Sequence, residues 1–133
     1  MLTLTDLCPC ESGLEYGHCC EPYLNRREEA PTAEALMRSR YVAYKLGNAD
    51  YLRHSWDPAT CPEDLSIDDD GRWLGLKIKH TEAGGVEDDT GTVEFVARYK
   101  VQGRGLRLHE ISRFKRHHGN WVYVDGDLIE KAK

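Results

Sequence analysis

The chain has 133 residues, of which 40% are hydrophobic and 31% charged, and its formal net charge at pH 7 is -5. This length suits one globular domain with a small appendage and a single buried core. No apolar run approaches the roughly 18 residues of a membrane-spanning helix, and the acidic balance argues against nucleic acid as the default partner.

The first feature along the chain is a cluster of cysteines. Four of the five fall within thirteen residues: Cys8, Cys10, Cys19 and Cys20. Two tight pairs joined by a short loop can supply the four sulfurs of a tetrahedral zinc ion, each at about 2.3 Å. Gly13 and Gly17 in that loop favour the turn that returns the second pair onto the first. The spacing therefore predicts a structural zinc site whose metal binding is coupled to folding.

Disulfides and a redox-active dithiol are the competing interpretations of this cluster. The adjacent residues Cys19 and Cys20 can form a disulfide with each other only with strain, and the odd number of cysteines leaves Cys61 without a disulfide partner. No basic and apolar leader precedes the cluster, so we expect a reducing, cytoplasmic location, where such spacing indicates a metal. His18 is an alternative ligand in place of one thiolate, and Cys61 is expected to be a small buried residue.

A linker and two helices are predicted next. Residues 26–31 are charged and end in proline, which is typical of a linker. Thr32 is suited to cap a helix whose apolar positions recur every three or four residues until Gly47 stops it. Asn48 can cap a second, short helix that carries Trp56.

In the second half of the chain the apolar period changes from helical to alternating, which indicates β-strands. Leu74, Leu76 and Ile78 are predicted to share the inner face of the first strand. Three further strands follow, and the second shows the clearest alternation, over residues 92–101. In the third strand the alternation slips near His109, which is typical of a β-bulge.

Helices followed by an antiparallel meander predict an α+β fold in which the helices cover one face of a curved sheet. We therefore assign residues 1–25 to a zinc-binding module, residues 26–31 to a linker and residues 32–133 to the α+β domain. Seven basic residues are opposed by one acidic residue between positions 98 and 116. That stretch permits a local basic face, for which nucleic acid is a candidate partner that the total charge does not favour.

A cavity between helices and sheet would collect polar residues that point inward. The candidates are Arg40 on the first long helix, His109 and Glu110 at the predicted bulge, and Asp125 at the end of the last strand. A histidine and a carboxylate in a semi-apolar cavity form a candidate acid-base unit. The alternative is a structural network in which Glu110 pairs with Arg40 or Arg113 and His109 is held by a hydrogen bond. No glycine-rich phosphate loop, nucleophile elbow or paired-histidine metal motif occurs, which favours a non-enzymatic role.

The stretch from residue 8 to residue 20 resembles the SEC-C motif, the small zinc-binding module named for the C-terminus of the SecA translocation ATPase. Glu11 stands where such motifs usually have glycine. Nearly the whole chain is similar to the YchJ family of bacterial proteins, through segments 22–23, 36–41, 95–97, 109–114 and 121–126. This resemblance implies an N-terminal SEC-C module on a nuclear-transport-factor-two-like (cystatin-like) cone, in a family of uncharacterised biochemical function.

Two functions from different classes follow. The favoured one is a non-enzymatic interaction or adaptor protein whose zinc module presents four residues to another macromolecule: Leu14, Tyr16, Pro22 and Tyr23. By analogy with SecA-like proteins, the resemblance implies a protein or ribosome-associated partner. The alternative is a small-molecule-binding protein or an enzyme that uses the cavity between helices and sheet.

Overall fold

The computed structural model describes residues 2–63, 65 and 71–129, and over these residues three helices precede one four-stranded antiparallel sheet. The helices are α1 (Glu21–Leu24), α2 (Ala33–Leu46) and α3 (Ala49–His54), and a 3-10 turn spans Tyr16–His18. The strands, in sheet order, are β1 (Gly71–Ala83), β2 (Thr90–Val101), β3 (Arg104–His117) and β4 (Asn120–Leu128). The predicted α+β arrangement of helices on an antiparallel meander is confirmed.

Helix α2 is closed at both ends by the residues that the sequence predicts. The side chain of Thr32 accepts a hydrogen bond from the backbone nitrogen of Ala35 at 3.0 Å. Gly47 ends the helix in the left-handed conformation, with φ of 76°, which glycine adopts without steric cost. The inner side of α2 buries apolar residues such as Leu36 and, unusually for a charged residue, Arg40.

Helix α3 is capped by Asn48, as predicted, but it ends at His54. Trp56 therefore lies beyond the helix, and the prediction that it belongs to α3 is wrong. The reason is a competing backbone interaction, because the chain at Trp56 forms a parallel bridge to Tyr123 in β4. The nitrogen of Tyr123 donates to the Ser55 carbonyl at 2.8 Å, which holds the end of α3 against the sheet.

Strand β1 contains a bulge that changes which residues face the core. The pairing with β2 shifts between Trp73 and Gly75, and Leu74 between them is 50% exposed. Trp73 takes the inner position and packs edge-on against Tyr41 of α2, with ring centroids 5.9 Å apart. Leu76 is buried as predicted, whereas the inward placement predicted for Leu74 is wrong because a bulge shifts the alternation by one residue.

Strand β3 pairs with β2 without a break from Arg104 to Lys115, so the bulge predicted near His109 is absent from this pairing. The irregularity lies instead between Arg113 and Phe114, in the pairing of β3 with β4. Regular alternation puts His109 on the outer face of the sheet and Glu110 on the inner face. Only Glu110 of this pair can therefore face the space between sheet and helices.

The core is one continuous cluster that runs from the buried cysteines through α2 to the inner face of the sheet. The predicted linker takes part in this packing, since Ala30 is buried and the carbonyl of Pro31 accepts a hydrogen bond from Trp121 Nε1 at 3.1 Å. Among the helices in the described part of the chain, none is long and apolar enough to cross a bilayer.

Candidate functional site

The four clustered cysteines converge on one point in the N-terminal module. Their sulfurs all lie within 4.8 Å of one another, and three of the four residues are buried. Sγ of Cys19 is 3.6 Å from that of Cys10 and 3.9 Å from that of Cys20. A tetrahedral ion with bonds of about 2.3 Å separates its sulfurs by about 3.8 Å. The donor set and its spacing therefore fit a metal ion.

Short backbone segments on either side of a tight turn hold the two cysteine pairs together. The nitrogen of Cys8 donates to the Leu14 carbonyl at 2.8 Å, so the chain returns antiparallel to itself. Between them, Glu11 and Gly13 have positive φ values of 65° and 90°, which produce the reversal. The 3-10 turn and the start of α1 then bring Cys20 under the first pair.

Because the sulfurs are so close, their thiols have pKa values that are shifted in opposite directions. A hydrogen bond from the Cys20 thiol holds the pKa of Cys10 far below its usual range. The hydrogen bond from Cys20 to Cys10 in turn raises the pKa of Cys20. A second hydrogen bond, between Cys8 and Cys10, raises the pKa of Cys8 to about 12. Because thiolates at this distance repel one another, four of them can coexist only around a cation.

Two polar contacts join the cysteine loop to the body of the protein. Arg38 on α2 donates from Nη1 to the Cys10 carbonyl at 2.7 Å. The Glu11 carboxylate accepts a hydrogen bond from the backbone nitrogen of Leu76 at 2.9 Å. Since β1 is an edge strand, that nitrogen faces away from its neighbour in the sheet, and Glu11 satisfies it.

The residues predicted to face a partner are not equally accessible. Leu14 is 53% exposed, whereas Tyr16 is buried in the core cluster and is not available as a contact surface. Pro22 and Tyr23 are half-buried. The side chain of His18 is 84% exposed and turns toward Glu15, outside the set of four sulfurs that could hold an ion.

A cavity of about 240 Å³ lies between α2 and the inner face of the sheet. Its lining is mainly aromatic and aliphatic, with two charged residues among the polar ones: Met37, Arg40, Tyr41, Tyr44, Trp56, Trp73, Phe95, Ala97, Leu108, Glu110, Ser112 and Tyr123. Arg40 and Glu110 are thus the two predicted pocket residues that the fold brings into one place.

Arg40 is buried without a described carboxylate within 4 Å. Its Nη1 donates to the Leu52 carbonyl at 3.0 Å and to Ser55 Oγ at 2.8 Å. Its Cζ lies 4.7 Å from the ring centroid of Trp56 and 4.6 Å from that of Tyr123, which gives two cation-π contacts. Burial lowers the pKa of the Arg40 guanidinium.

Glu110 faces the cavity from β3. Ser112 Oγ donates to its Oε2 at 2.6 Å, and the hydroxyl of Tyr123 donates to the same oxygen at 3.2 Å. Gly126 in β4 leaves the space that the carboxylate fills, because a Cβ there would collide with it. Neither Arg40 nor Arg113 forms an ion pair with Glu110 among the described residues, so the arginine pairing predicted for Glu110 is wrong.

His109 and Asp125 lie on the outer face of the sheet and do not reach the cavity. Nε2 of His109 is 2.7 Å from the Glu94 carboxylate, and Arg113 Nε donates to Asp125 at 2.6 Å. The predicted unit of His109 and Glu110 is therefore wrong, because adjacent strand residues point to opposite faces. Cys61, expected to be buried, is only half-buried.

The sequence does not indicate which aromatic residues shape the cavity. Trp56 and Tyr123 meet edge to face with ring centroids 5.2 Å apart, although they are far apart in the chain. The Trp56 Nε1 atom is buried and has no hydrogen-bond partner among the described residues. No local pattern indicates this contact, because it depends on the parallel bridge between the end of α3 and β4.

Comparisons with known proteins cover both parts of the chain. Residues 5–22 match the SEC-C motif, and residues 32–126 match the family described as "YchJ, middle NTF2-like domain". A UPF0225 protein of Cupriavidus pinatubonensis is 53% identical over 94% of this chain and 90% of the relative. A UPF0225 protein of Streptomyces coelicolor is 47% identical over 95% of this chain and 98% of the relative.

Two solved structures are similar in fold. The solution structure of a SEC-C motif containing protein from Rhodopseudomonas palustris has a TM-score of 0.80 and 36% identity, covering 92% of this chain and 98% of that one. The crystal structure of a SEC-C motif containing protein from Psychrobacter arcticus has a TM-score of 0.75 and 27% identity, covering 100% and 88%. These matches confirm the resemblance drawn from the sequence.

Proposed function

The chain belongs to the UPF0225 family of YchJ proteins with a SEC-C motif. From that premise we propose that it is a non-enzymatic interaction protein whose N-terminal module is stabilised by one structural zinc ion. The convergence of four sulfurs within 4.8 Å carries this proposal. Zinc suits a site of four thiolates, and four protein ligands leave no position for a reactive water. The ion holds the module in shape and takes no part in a reaction.

The chemistry of the cysteines also supports a reducing compartment. Cysteines bind a metal as reduced thiolates, so the proposed site needs a reducing compartment. We therefore propose a cytoplasmic location.

The zinc claim is tested by native mass spectrometry on protein purified under reducing conditions. We expect one zinc ion per chain, lost in Cys10→Ser and retained in Cys61→Ser, the matched control for removing a thiol outside the cluster. Cobalt substitution should give the absorption of a tetrahedral thiolate site. A folded, metal-free protein, or equal metal loss in both variants, would contradict the proposal.

The proposed partner surface lies on the outer side of the cysteine module. Three of its leucines remain exposed after folding: Leu4 at 57%, Leu7 at 70% and Leu14 at 53%. They sit on the two backbone segments that the cysteine site holds together, since Gly17 donates to the Leu4 carbonyl at 2.9 Å. Several large apolar side chains exposed on one small module are typical of contact sites, and we propose a protein or ribosome-associated partner.

The partner claim is tested by photo-crosslinking in cells of the natural host. A photoreactive residue at position 14 is expected to give a discrete crosslinked protein, and one at position 102 is not. Gln102 is the matched control because it is exposed on the hairpin between β2 and β3. The crosslink should vanish when Cys10→Ser is combined with the probe at position 14. Equal crosslinking from both positions would contradict a docking role for the module.

Small-molecule binding is the second candidate function, and the cavity favours it. The cavity residues lie between α2 and the sheet, apart from the cysteine loop. Mutation separates the two functions, because Cys10→Ser acts on the module and a change at Trp56 acts on the cavity.

A further inference from the structure

We infer that the cavity binds a small organic acid, with its carboxylate on the guanidinium edge of Arg40 and the indole nitrogen of Trp56. The apolar body of the acid then lies among the aromatic side chains that line the space. This site is independent of the cysteine module, so it stands whether or not the zinc proposal holds.

The first observation is that none of the described residues balances the charge of Arg40. A buried cation is costly unless an anion or several hydrogen bonds compensate it. The described residues satisfy only Nη1, through Leu52 and Ser55, and the Nε and Nη2 edge makes no hydrogen bond to them. Those two nitrogens form the fork that binds a carboxylate through parallel N–H bonds. A ligand carboxylate would supply the missing counter-charge.

The second observation is the unused donor of Trp56. Its Nε1 is fully covered by protein yet has no partner among the described residues, which is rare for a buried indole. The ring of Trp56 is also in cation-π contact with Arg40, so the two donors belong to the same end of the cavity. Because Nε1 has no exposed surface, a small turn of the Trp56 ring would let it donate to an anion at the Arg40 edge.

The third observation is the polar group at the far end of Tyr123. The ring of Tyr123 contacts Arg40, and its hydroxyl donates to Glu110. Tyr123 therefore contacts both charged groups of the cavity, Arg40 through its ring and Glu110 through its hydroxyl. Oε1 of Glu110 has no hydrogen bond from the described residues and can accept one from a ligand hydroxyl or amine.

The size of the cavity limits the ligand. A cavity of about 150 Å³ holds one benzene ring. The present volume of about 240 Å³ therefore takes one ring with a carboxylate and one further small substituent. A hydroxylated or aminated single-ring carboxylic acid meets the volume, the charge and the two polar ends. We use 4-hydroxybenzoate as the probe.

The charge requirement is tested by calorimetric titration of the zinc-loaded protein with 4-hydroxybenzoate and with 4-hydroxybenzamide, which has the same shape and no charge. We expect the dissociation constant of the acid to be lower than that of the amide by a factor of about ten or more, because hydrogen bonds to charged groups dominate the contact. Failure of 4-hydroxybenzoate, benzoate and cyclohexanecarboxylate to bind at millimolar concentration overturns the proposal, as does equal binding of acid and amide.

Three variants assign the contacts. Trp56→Phe keeps an aromatic ring at this position but removes the N–H together with one ring of the indole, so we expect binding of the acid to weaken several-fold while the fold is retained. Glu110→Gln should reduce the preference for 4-hydroxybenzoate over benzoate. Arg113→Met changes an arginine on the outer face and should leave binding unchanged. Unaltered binding in Trp56→Phe would overturn the assigned pose.

Discussion

The backbone of Glu11 lies in the left-handed region, with φ of 65°, at the turn between the two cysteine pairs. This conformation explains why SEC-C motifs usually have glycine at this position, since a side chain is strained there. In this chain the strain is offset by a contact, because the carboxylate accepts a hydrogen bond from the Leu76 nitrogen on the edge of β1. Glu11 therefore joins the cysteine loop to the sheet.

The two effects at Glu11 can be separated by substitution. Glu11→Ala keeps the strained backbone and loses the hydrogen bond, so we expect the free energy of unfolding to fall by about 1–2 kcal/mol. Glu11→Gly loses the same bond but relaxes the backbone, and it should recover about 1 kcal/mol relative to alanine. Urea denaturation in the presence of zinc measures both values.

Glu15→Ala is the control for this series, because Glu15 is in the same loop, has a negative φ and is half exposed. We expect it to change stability by less than about 0.5 kcal/mol. An alanine variant at position 11 as stable as the glycine variant would show that the turn is not left-handed.

A second close contact occurs at Gly91, at the start of β2. A Cβ on Gly91 would lie 2.6 Å from the backbone nitrogen of Gly84, which cannot move away as a flexible side chain can. Gly84 itself has φ of 79°, and its carbonyl accepts from the nitrogen of Ala33 at 2.9 Å. The two glycines let the hairpin between β1 and β2 pack against the start of α2.

Gly91→Ala should therefore destabilise the fold by about 2 kcal/mol or more, since the overlap is with backbone. Gly105→Ala is the matched control: Gly105 is also a strand residue, and a Cβ there meets nothing within 4 Å. We expect the control to stay within about 0.5 kcal/mol of the parent in chemical denaturation. Similar losses in the two variants would contradict the close packing of the hairpin.

Among the elements, α2 connects all parts of the molecule. Its first residues contact the hairpin, Arg38 binds the carbonyl of Cys10, and Arg40 enters the cavity. These contacts come from different sides of one helix of 14 residues, so the position of α2 sets both candidate sites. The capping of α2 by Thr32 is consequently important for the whole fold.

Removal of this cap has a predictable cost. In Thr32→Ala the nitrogen of Ala35 loses its side-chain acceptor, and we expect stability to fall by about 1 kcal/mol. Thr32→Ser keeps an oxygen in the same place and should retain most of the stability. Thermal denaturation of both variants, followed by circular dichroism, measures the difference. Equal melting temperatures for alanine and serine would show that the hydroxyl does not cap the helix.

At the level of the whole molecule, the module and the sheet domain differ in what holds them together. The sheet is held by three long antiparallel pairings, whereas the module has a short pairing and a cluster of cysteines. A segment this small cannot form an adequate core without a metal. The sheet and α2 should survive the loss of the metal, while the module should not.

Chelation tests this division. After addition of a strong zinc chelator under reducing conditions, we expect amide signals of residues 2–25 to lose dispersion in nuclear magnetic resonance spectra. The signals of β2 and β3 should persist, with a lower melting temperature because the bound metal no longer stabilises the folded state. Cys61→Ser should respond in the same way as the parent. Unchanged signals throughout the chain would show that the module folds without metal.

Local features of the sequence determined the cysteine centre and the helix caps. Four cysteines within thirteen residues are close enough along the chain to meet around one point, and Thr32 and Asn48 cap helices through hydrogen bonds that span three residues. The alternation of apolar residues likewise predicted the strands and their place in an α+β fold, because the period of a strand depends only on neighbouring residues.

Only the tertiary structure decided which side chains share the cavity. The bulge at Leu74 exchanges inner and outer residues at the start of β1, and the unbroken pairing of β3 with β2 sends His109 outward and Glu110 inward. The meeting of Arg40 with Trp56 and Tyr123 depends on contacts between distant segments. A single-residue shift of register reverses every side chain of a strand, so the pocket follows from pairing that no local pattern specifies.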